Sequence, residues 1–324
     1  MSQTLTRSYT NPVYSDYFAD PFVLKVDQTY FAYGTTPTPG RDGNRFPVLR
    51  SDDLIHWRYI AHALRPLSNP PGVTYWAPEV ARGDDGRFYM YYSATPTNSD
   101  EYHRLRVAIA DDPAGPFVDA GKILFPDAGF TIDASPFRDP QTGRWYLYYA
   151  TDYVEDEPHG TGLAVASLDD DMMTVRELPR MALRATCDWQ IYERNRDYKG
   201  RIWEKWHCIE GPFVVYHDNK YWLLYSGGAW HSDNYGIGFA VADAPMGPWR
   251  DDFAQHGPFV LRGTKDVIGP GHASVTVAPD DRSLVLVYHA WDQSRTARRM
   301  CIDPLHFTAA GPRCDGPSTN SRTL

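Results

Sequence analysis

An all-β chain folded as a five-bladed β-propeller is what this 324-residue sequence predicts, on three observations. A short acidic or polar element recurs as ADPFV at 19–23, APEV at 77–80, IDASPF at 132–137, IEGPF at 209–213 and GHASV at 271–275. Each copy is followed, after a Gly, Asp or Asn turn, by a strand-like aromatic run: YFAYGTT, FYMYYSAT, WYLYYATD, YWLLYSGG and LVLVYHAW. Those runs begin at residues 30, 88, 145, 221 and 284, at intervals of 58, 57, 76 and 63 residues. A period this long, built of aromatic and β-branched strands with no helical face between copies, marks a propeller whose blade is one repeat.

The blades are expected at about 15–62, 73–125, 130–182, 205–256 and 268–310 of one large domain, since no linker or low-complexity segment interrupts the repeats. In the first blade LRSDDLIHWRYI fills the third-strand slot, with Trp57 packing between blades. VAIADDPAGPFVDAG at 107–121 and FAVADAPMGPWRDDF at 239–253 share an A-x-A run and a P-x-G-P-aromatic turn, which makes them equivalent places in the second and fourth blades. GLAVASLDDDM fills the same slot in the third. Residues 184–206, RATCDWQIYERNRDYKGRIWEKW, break the period and account for the 76-residue interval. An insertion between blades emerges on a propeller face, so this one is either a wall over the opening near Glu210 or a loop capping the seam between blades three and four.

Composition agrees with many short strands: 10 Trp, 22 Tyr and 14 Phe supply an aromatic core, and 26 Pro with 25 Gly supply turns, so no long helix is expected. A net charge of −9 without a basic stripe argues against nucleic acid and favours a neutral or weakly polar substrate. The first residues, MSQTLTRSYT, lack the apolar stretch of a secretory signal, and no apolar run approaches membrane-spanning length, so the expectation is a cytoplasmic protein with no membrane partner. Cys187, Cys208, Cys301 and Cys314 form no CxxC pair or metal-ligand spacing and read as reduced, packed thiols.

The first strand of each propeller blade lines the central axis, which brings Asp20, Asp133, Glu210 and His272 together from distant parts of the chain. Pro21, Pro136 and Pro212 are expected to fix the backbone where these strands begin. A single acidic residue before a proline is ordinary turn chemistry. Three carboxylates at an equivalent place in a near-neutral tunnel point instead to a site. Like charges in a partly desolvated space raise one another's pKa values, which suits a reaction needing one protonated and one ionised carboxyl. Hydrolysis of a glycosidic bond is such a reaction. Trp76, immediately before APEV, is placed to stack on a sugar face and equally suits a core tryptophan at a strand start.

Taken together, FADPFV, YWAPEV, TIDASPFRD, IEGPFV, GPGHASV and the late RTARRMCIDPLHF resemble, in this order and spacing and over essentially the whole chain, a glycoside hydrolase of family 43. The resemblance implies a five-bladed propeller and an inverting mechanism. It casts Asp20 as general base, Glu210 as general acid, and Asp133 as the third carboxylate, which tunes the acid's pKa and holds it in place. Arg298, chosen over Arg299, matches an arginine that reaches the sugar in the innermost subsite. His272 matches a histidine near the propeller centre that in many members lies in the shell of a bound calcium. No cofactor is required for the chemistry, and a structural Ca²⁺ near His272 is expected from the resemblance alone.

The family acts mainly on α-L-arabinofuranosides and β-D-xylosides. The expectation is an exo-acting α-L-arabinofuranosidase working on small oligosaccharides or plant-polysaccharide fragments, because no β-sandwich follows residue 310 and the 184–206 insertion walls one side. Exo-β-1,4-xylosidase, then endo-1,5-α-L-arabinanase, are the alternatives. From other classes stand a non-catalytic glycan-binding propeller, which would lack one of the three carboxylates, and a transferase or phosphorylase, which would need a phosphate-binding cluster such as Arg298, Arg299 and His272.

Overall fold

Aromatic runs apolar on both sides demand burial on both sides, and the fold provides it by stacking sheets face to face around a ring. The structure, a computed structural model, describes residues 8–68, 72–95, 97, 99–155, 157–251 and 259–324. Blade I comprises Ala19–Val26, Thr29–Thr35, Arg45–Ser51 and Arg58–Leu64, in that order from the inside outward. Blade II comprises Tyr75–Arg82, Phe88–Ala94, Arg104–Ala110 and Val118–Ile123, and blade III Thr131–Arg138, Trp145–Tyr153, Gly160–Leu168 and Arg180–Leu183. Blade IV is built from Arg201–His217, Lys220–Gly227, Gly236–Ala242 and Leu261–Arg262, and blade V from Ile268–Val277, Leu284–Trp291, Arg298–Thr308 and Gly311–Cys314. The chain is thus an all-β, five-bladed β-propeller. Its only helical segments among the described residues are the short 3₁₀ turns Asp100–Tyr102 and Asp188–Gln190. The expected end of the fourth blade, at 256, lies outside the described residues.

Each second strand sends alternate side chains to opposite neighbours. Phe88, Met90 and Tyr92 join Phe22, Tyr33 and Val48 of blade I, whereas Tyr89 and Tyr91 join Trp145, Leu147 and Tyr149 of blade III. In the same way Tyr146 and Tyr148 meet Tyr221 and Leu223 across the III–IV seam, and Leu224 meets Leu286 and Tyr288 across the IV–V seam. Val285 and Val287 pack with Val23 and Tyr30 and close the ring between blades V and I. Trp57 packs against this last seam, between blades as the sequence suggested.

Two further devices hold the ring. The Asp303 carboxylate is fully buried and accepts from Tyr9 at 2.9 Å, Tyr288 at 2.8 Å and the Ser318 N–H at 3.0 Å, tying both ends of the described chain to blade V. Ser8–Tyr9 also pairs with Arg322–Thr323. Residues 184–206 are not a plain loop. Ile191–Tyr198 forms a hairpin with the first half of Arg201–His217, and that long strand then runs on into the inner strand of blade IV. Parallel pairs Gly160 with His207 and Thr161 with Cys208 fuse blades III and IV into one sheet. The hairpin therefore walls the opening, with Tyr192, Arg196 and Tyr198 at the cavity, and joins the III–IV seam as well. All four cysteines are free thiols.

Inner strands are stapled to the preceding blade by side chains of its second strand. Ala77 N–H donates to Thr35 Oγ1 at 2.8 Å, His272 N–H to Ser226 Oγ at 2.7 Å, and Asp20 N–H to His289 Nδ1 at 3.1 Å. Ser226 and His289 are fully buried, so water cannot replace these acceptors. Ser226→Ala is expected to leave the His272 N–H unpaired and to cost about 1–3 kcal/mol of unfolding free energy in urea titrations. A loss indistinguishable from zero would show that the staple contributes nothing.

Candidate active site

All inner strands break register at the same place. The break falls between Ala19 and Phe22, Trp76 and Glu79, Ile132 and Ser135, Glu210 and Phe213, and Gly271 and Ser274. Within each break one residue adopts positive φ: Asp20 at 50°, Ala77 at 49°, Asp133 at 57°, Gly211 at 55° and His272 at 49°. Pro21, Pro78 and Pro212 follow three of these residues; lacking an N–H, a proline needs no ladder partner inside a bulge. Pro136, expected to act in this way, sits instead in regular pairing with Leu147.

This register corrects one expectation. Asp20, Asp133 and His272 are equivalent, together with Ala77 and Gly211, but Glu210 stands one residue earlier, at the position of Trp76. The one-residue offset makes Gly211 the axial residue of blade IV. A Cβ there would lie 3.2 Å from the His272 ring, and the glycine N–H instead donates to Asp133 Oδ2 at 3.0 Å.

Asp20, Trp76, Asp133, Glu210, His272 and Arg298 all border one cavity of about 580 Å³. Asp20 Oδ1 accepts from Arg298 Nη1 at 3.1 Å and lies 3.4 Å from Nδ1 of His272. Burial pushes the Asp20 carboxyl up, but the charges of Arg298 and His272 outweigh it and hold the group well below the usual carboxylate range. Asp133 behaves oppositely. Burial pushes it up to about 7; the charges of Glu210 and Asp20 act the same way, against His272 and the Gly211 N–H. Two carboxyls 7 % and 8 % exposed are thus pushed in opposite directions within one site, Asp20 down and Asp133 up to near neutrality.

Glu210 is held by the Tyr235 hydroxyl, which donates to Oε1 at 2.7 Å, and by the Cys208 thiol, 3.2 Å from Oε2. Trp76 lies in the wall with its ring stacked on His103 at 3.6 Å, so one face is already taken. Arg298 also bonds Tyr17 at 3.2 Å and lies 4.6 Å over the Trp230 ring. Arg299, its neighbour, pairs with Asp292 at 3.2 Å away from this cavity, so Arg298, Arg299 and His272 do not form one anion-binding cluster.

Calcium takes six to eight oxygen ligands. The carboxylate oxygens nearest the His272 ring, Asp20 Oδ1 and Asp133 Oδ2, are committed to Arg298 and the Gly211 N–H. No group of three or more His, Cys, Asp or Glu among the described residues is arranged to hold a metal. By themselves these side chains supply too few oxygens to make up a calcium shell at His272.

Tyr235, His289, Trp230 and Tyr192 escaped the sequence reading, and Cys208 was read only as a packed thiol. His289, in LVLVYHAW, and Ser226, in YWLLYSGG, occupy the second-strand positions paired with Gly271 and Glu210, and that pairing was the available signal.

The family model for glycosyl hydrolases family 43 matches residues 9–312. A β-D-galactofuranosidase of Aspergillus niger is 26% identical over 93% of this chain and 83% of its own length. An extracellular exo-α-(1→5)-L-arabinofuranosidase of Streptomyces avermitilis is 28% identical over 92% of this chain, which spans 59% of that protein. The crystal structure of a thermostable family-43 glycoside hydrolase superposes with a TM-score of 0.81 at 32% identity, covering 96% of this chain and 97% of the other. This propeller, with its carboxylate-lined cavity, belongs to glycosyl hydrolases family 43, and its substrate is a carbohydrate.

Proposed function

We propose that the protein is an inverting, exo-acting α-L-arabinofuranosidase, with Asp20 as general base and Glu210 as general acid. The observation that carries the chemistry is one cavity bordered by Asp20, held ionised by its cationic neighbours, and by Glu210, with Asp133 between them in charge and contact. Arg298 and His272 gather at Asp20 Oδ1 and keep the carboxyl ionised, leaving Oδ2 outside those contacts to take a proton from water. Glu210 gives its proton to the leaving oxygen as the glycosidic bond breaks. Asp133 grips the N–H of Gly211, the next residue in the chain, and so fixes the backbone that carries the acid. Trp76, Arg298 and Trp230 border the space for the sugar, and the 191–206 hairpin closes one side of it, which favours release of a terminal residue.

Arabinofuranose is favoured by the relatives named for it, from Streptomyces avermitilis and, at 28% identity over 87% of this chain, from Streptomyces chartreusis. The galactofuranosidase relative supports a second reading. A β-D-galactofuranoside has the ring configuration of an α-L-arabinofuranoside with a longer exocyclic arm, so the two differ only in the room needed beyond the ring. A panel of aryl α-L-arabinofuranoside, β-D-galactofuranoside and β-D-xyloside separates these readings. The arabinofuranoside is expected to give the highest kcat/KM.

With that substrate, proton NMR of the first turnovers should show the β-anomer, as an acid and base with a water between them require. First appearance of the α-anomer would mean retention and would remove Asp20 from its role. Glu210→Ala should lower kcat/KM by roughly 10²–10⁴ on an arabino-oligosaccharide, whose leaving hydroxyl needs a proton. On the dinitrophenyl glycoside, whose leaving group needs little protonation, the loss should be much smaller. Equal losses on both would show that Glu210 is not the acid.

A further inference from the structure

Glu210 is gripped by two donors of very different strength. Tyr235 bonds Oε1 at 2.7 Å through an O–H, and Cys208 bonds Oε2 at 3.2 Å through a much weaker S–H. Tyr235 is fully buried and Cys208 is 4% exposed. The tyrosine reaches the acid because residue 271 is glycine: a Cβ there would lie 2.1 Å from the ring. The ring also stacks on His289, with centroids 6.0 Å apart and planes 10° from parallel. Cys208 precedes Glu210 by two residues on one strand and borders the cavity, which Tyr235 does not. Burial and the neighbouring Glu210 charge push the Cys208 thiol well above its usual range, so it remains S–H.

Resting on the assignment of Glu210 as the acid, we propose that Tyr235 and Cys208 are positioning residues that give its two oxygens different tasks. Tyr235 anchors Oε1. The weak thiol donor leaves Oε2, the oxygen beside cavity-lining Cys208, free to carry the proton. That proton passes from Oε2 to the glycosidic oxygen as its bond to the anomeric carbon breaks, and the bonding electron pair stays with the departing oxygen. A strong donor at residue 208 would favour the ionised carboxylate and hold Oε2 against this transfer.

The consequence is an inverted order of substitutions. Cys208→Ser, nearer in shape but a stronger donor, should be worse than Cys208→Ala. On an arabino-disaccharide the serine variant is expected to fall roughly tenfold or more below the alanine variant in kcat/KM. On the dinitrophenyl glycoside of the same sugar the two should be alike. Tyr235→Phe should likewise lose roughly tenfold more on the disaccharide than on the aryl substrate. Serine equal to or better than alanine on the disaccharide, or one ratio on both substrates, would reduce Cys208 to a packing residue and overturn the proposal. Glu210→Ala, assayed alongside, separates the two claims. A leaving-group-independent loss there removes the acid assignment itself, whereas a leaving-group-dependent loss with Cys208→Ser tracking Cys208→Ala removes only the positioning roles.

Discussion

The site depends on one backbone event repeated around the ring: a bulge in each inner strand that turns a single residue to positive φ and aims it at the axis. A non-glycine residue in that conformation is strained, by roughly 1–3 kcal/mol where the surroundings must hold it. The staples from the preceding blade offset part of that cost, because each gives a bulge N–H the partner that the broken ladder withholds. Two of these contacts hold Asp20 and His272, whose side chains lie 3.4 Å apart. Function and blade-to-blade cohesion therefore share one set of hydrogen bonds.

Crowding carboxylates into a buried ring would by itself raise all of them. Arg298 breaks the symmetry. It lies against Asp20, so that carboxyl stays ionised, while at Asp133 burial and the acidic neighbours outweigh His272 and the Gly211 N–H. Glu210 escapes the ring by one residue and rides on the strand that begins in the 191–206 hairpin. The insertion that breaks the repeat is thus continuous with the strand that presents the acid, and Tyr198 ties it to Asp152 of blade III at 2.7 Å.

Much of this was legible in the sequence, for identifiable reasons. The strand runs could be read because burial on both faces demands apolar and aromatic residues throughout, as in FYMYYSA and WYLYYAT. The convergence of Asp20, Asp133, Glu210 and His272 followed from the repeat. The offset of Glu210 did not, because IEGPF and ADPFV look alike while their bulges start one residue apart, and only the ladder reveals it. Calcium at His272 came from resemblance, and the two carboxylate oxygens nearest that ring already accept from Arg298 and the Gly211 N–H. Tyr235 and Cys208 were invisible for different reasons. Tyr235 approaches from another strand, across a space that Gly271 leaves open, and Cys208 was read as an inert thiol.

This fold sets two buried carboxyls apart: Asp20, held well below the usual carboxylate range, and Asp133, which keeps its proton to near neutrality. Carbon-13 NMR of labelled aspartate carboxyls, with Asp20→Asn and Asp133→Asn used to assign the signals, measures this directly. From about pH 4 to about pH 8 the Asp20 resonance should stay at its ionised position, while that of Asp133 should move as its proton leaves near pH 7. An Asp20 signal that titrates in the neutral range, beside an Asp133 already ionised at the acid end, would contradict the account.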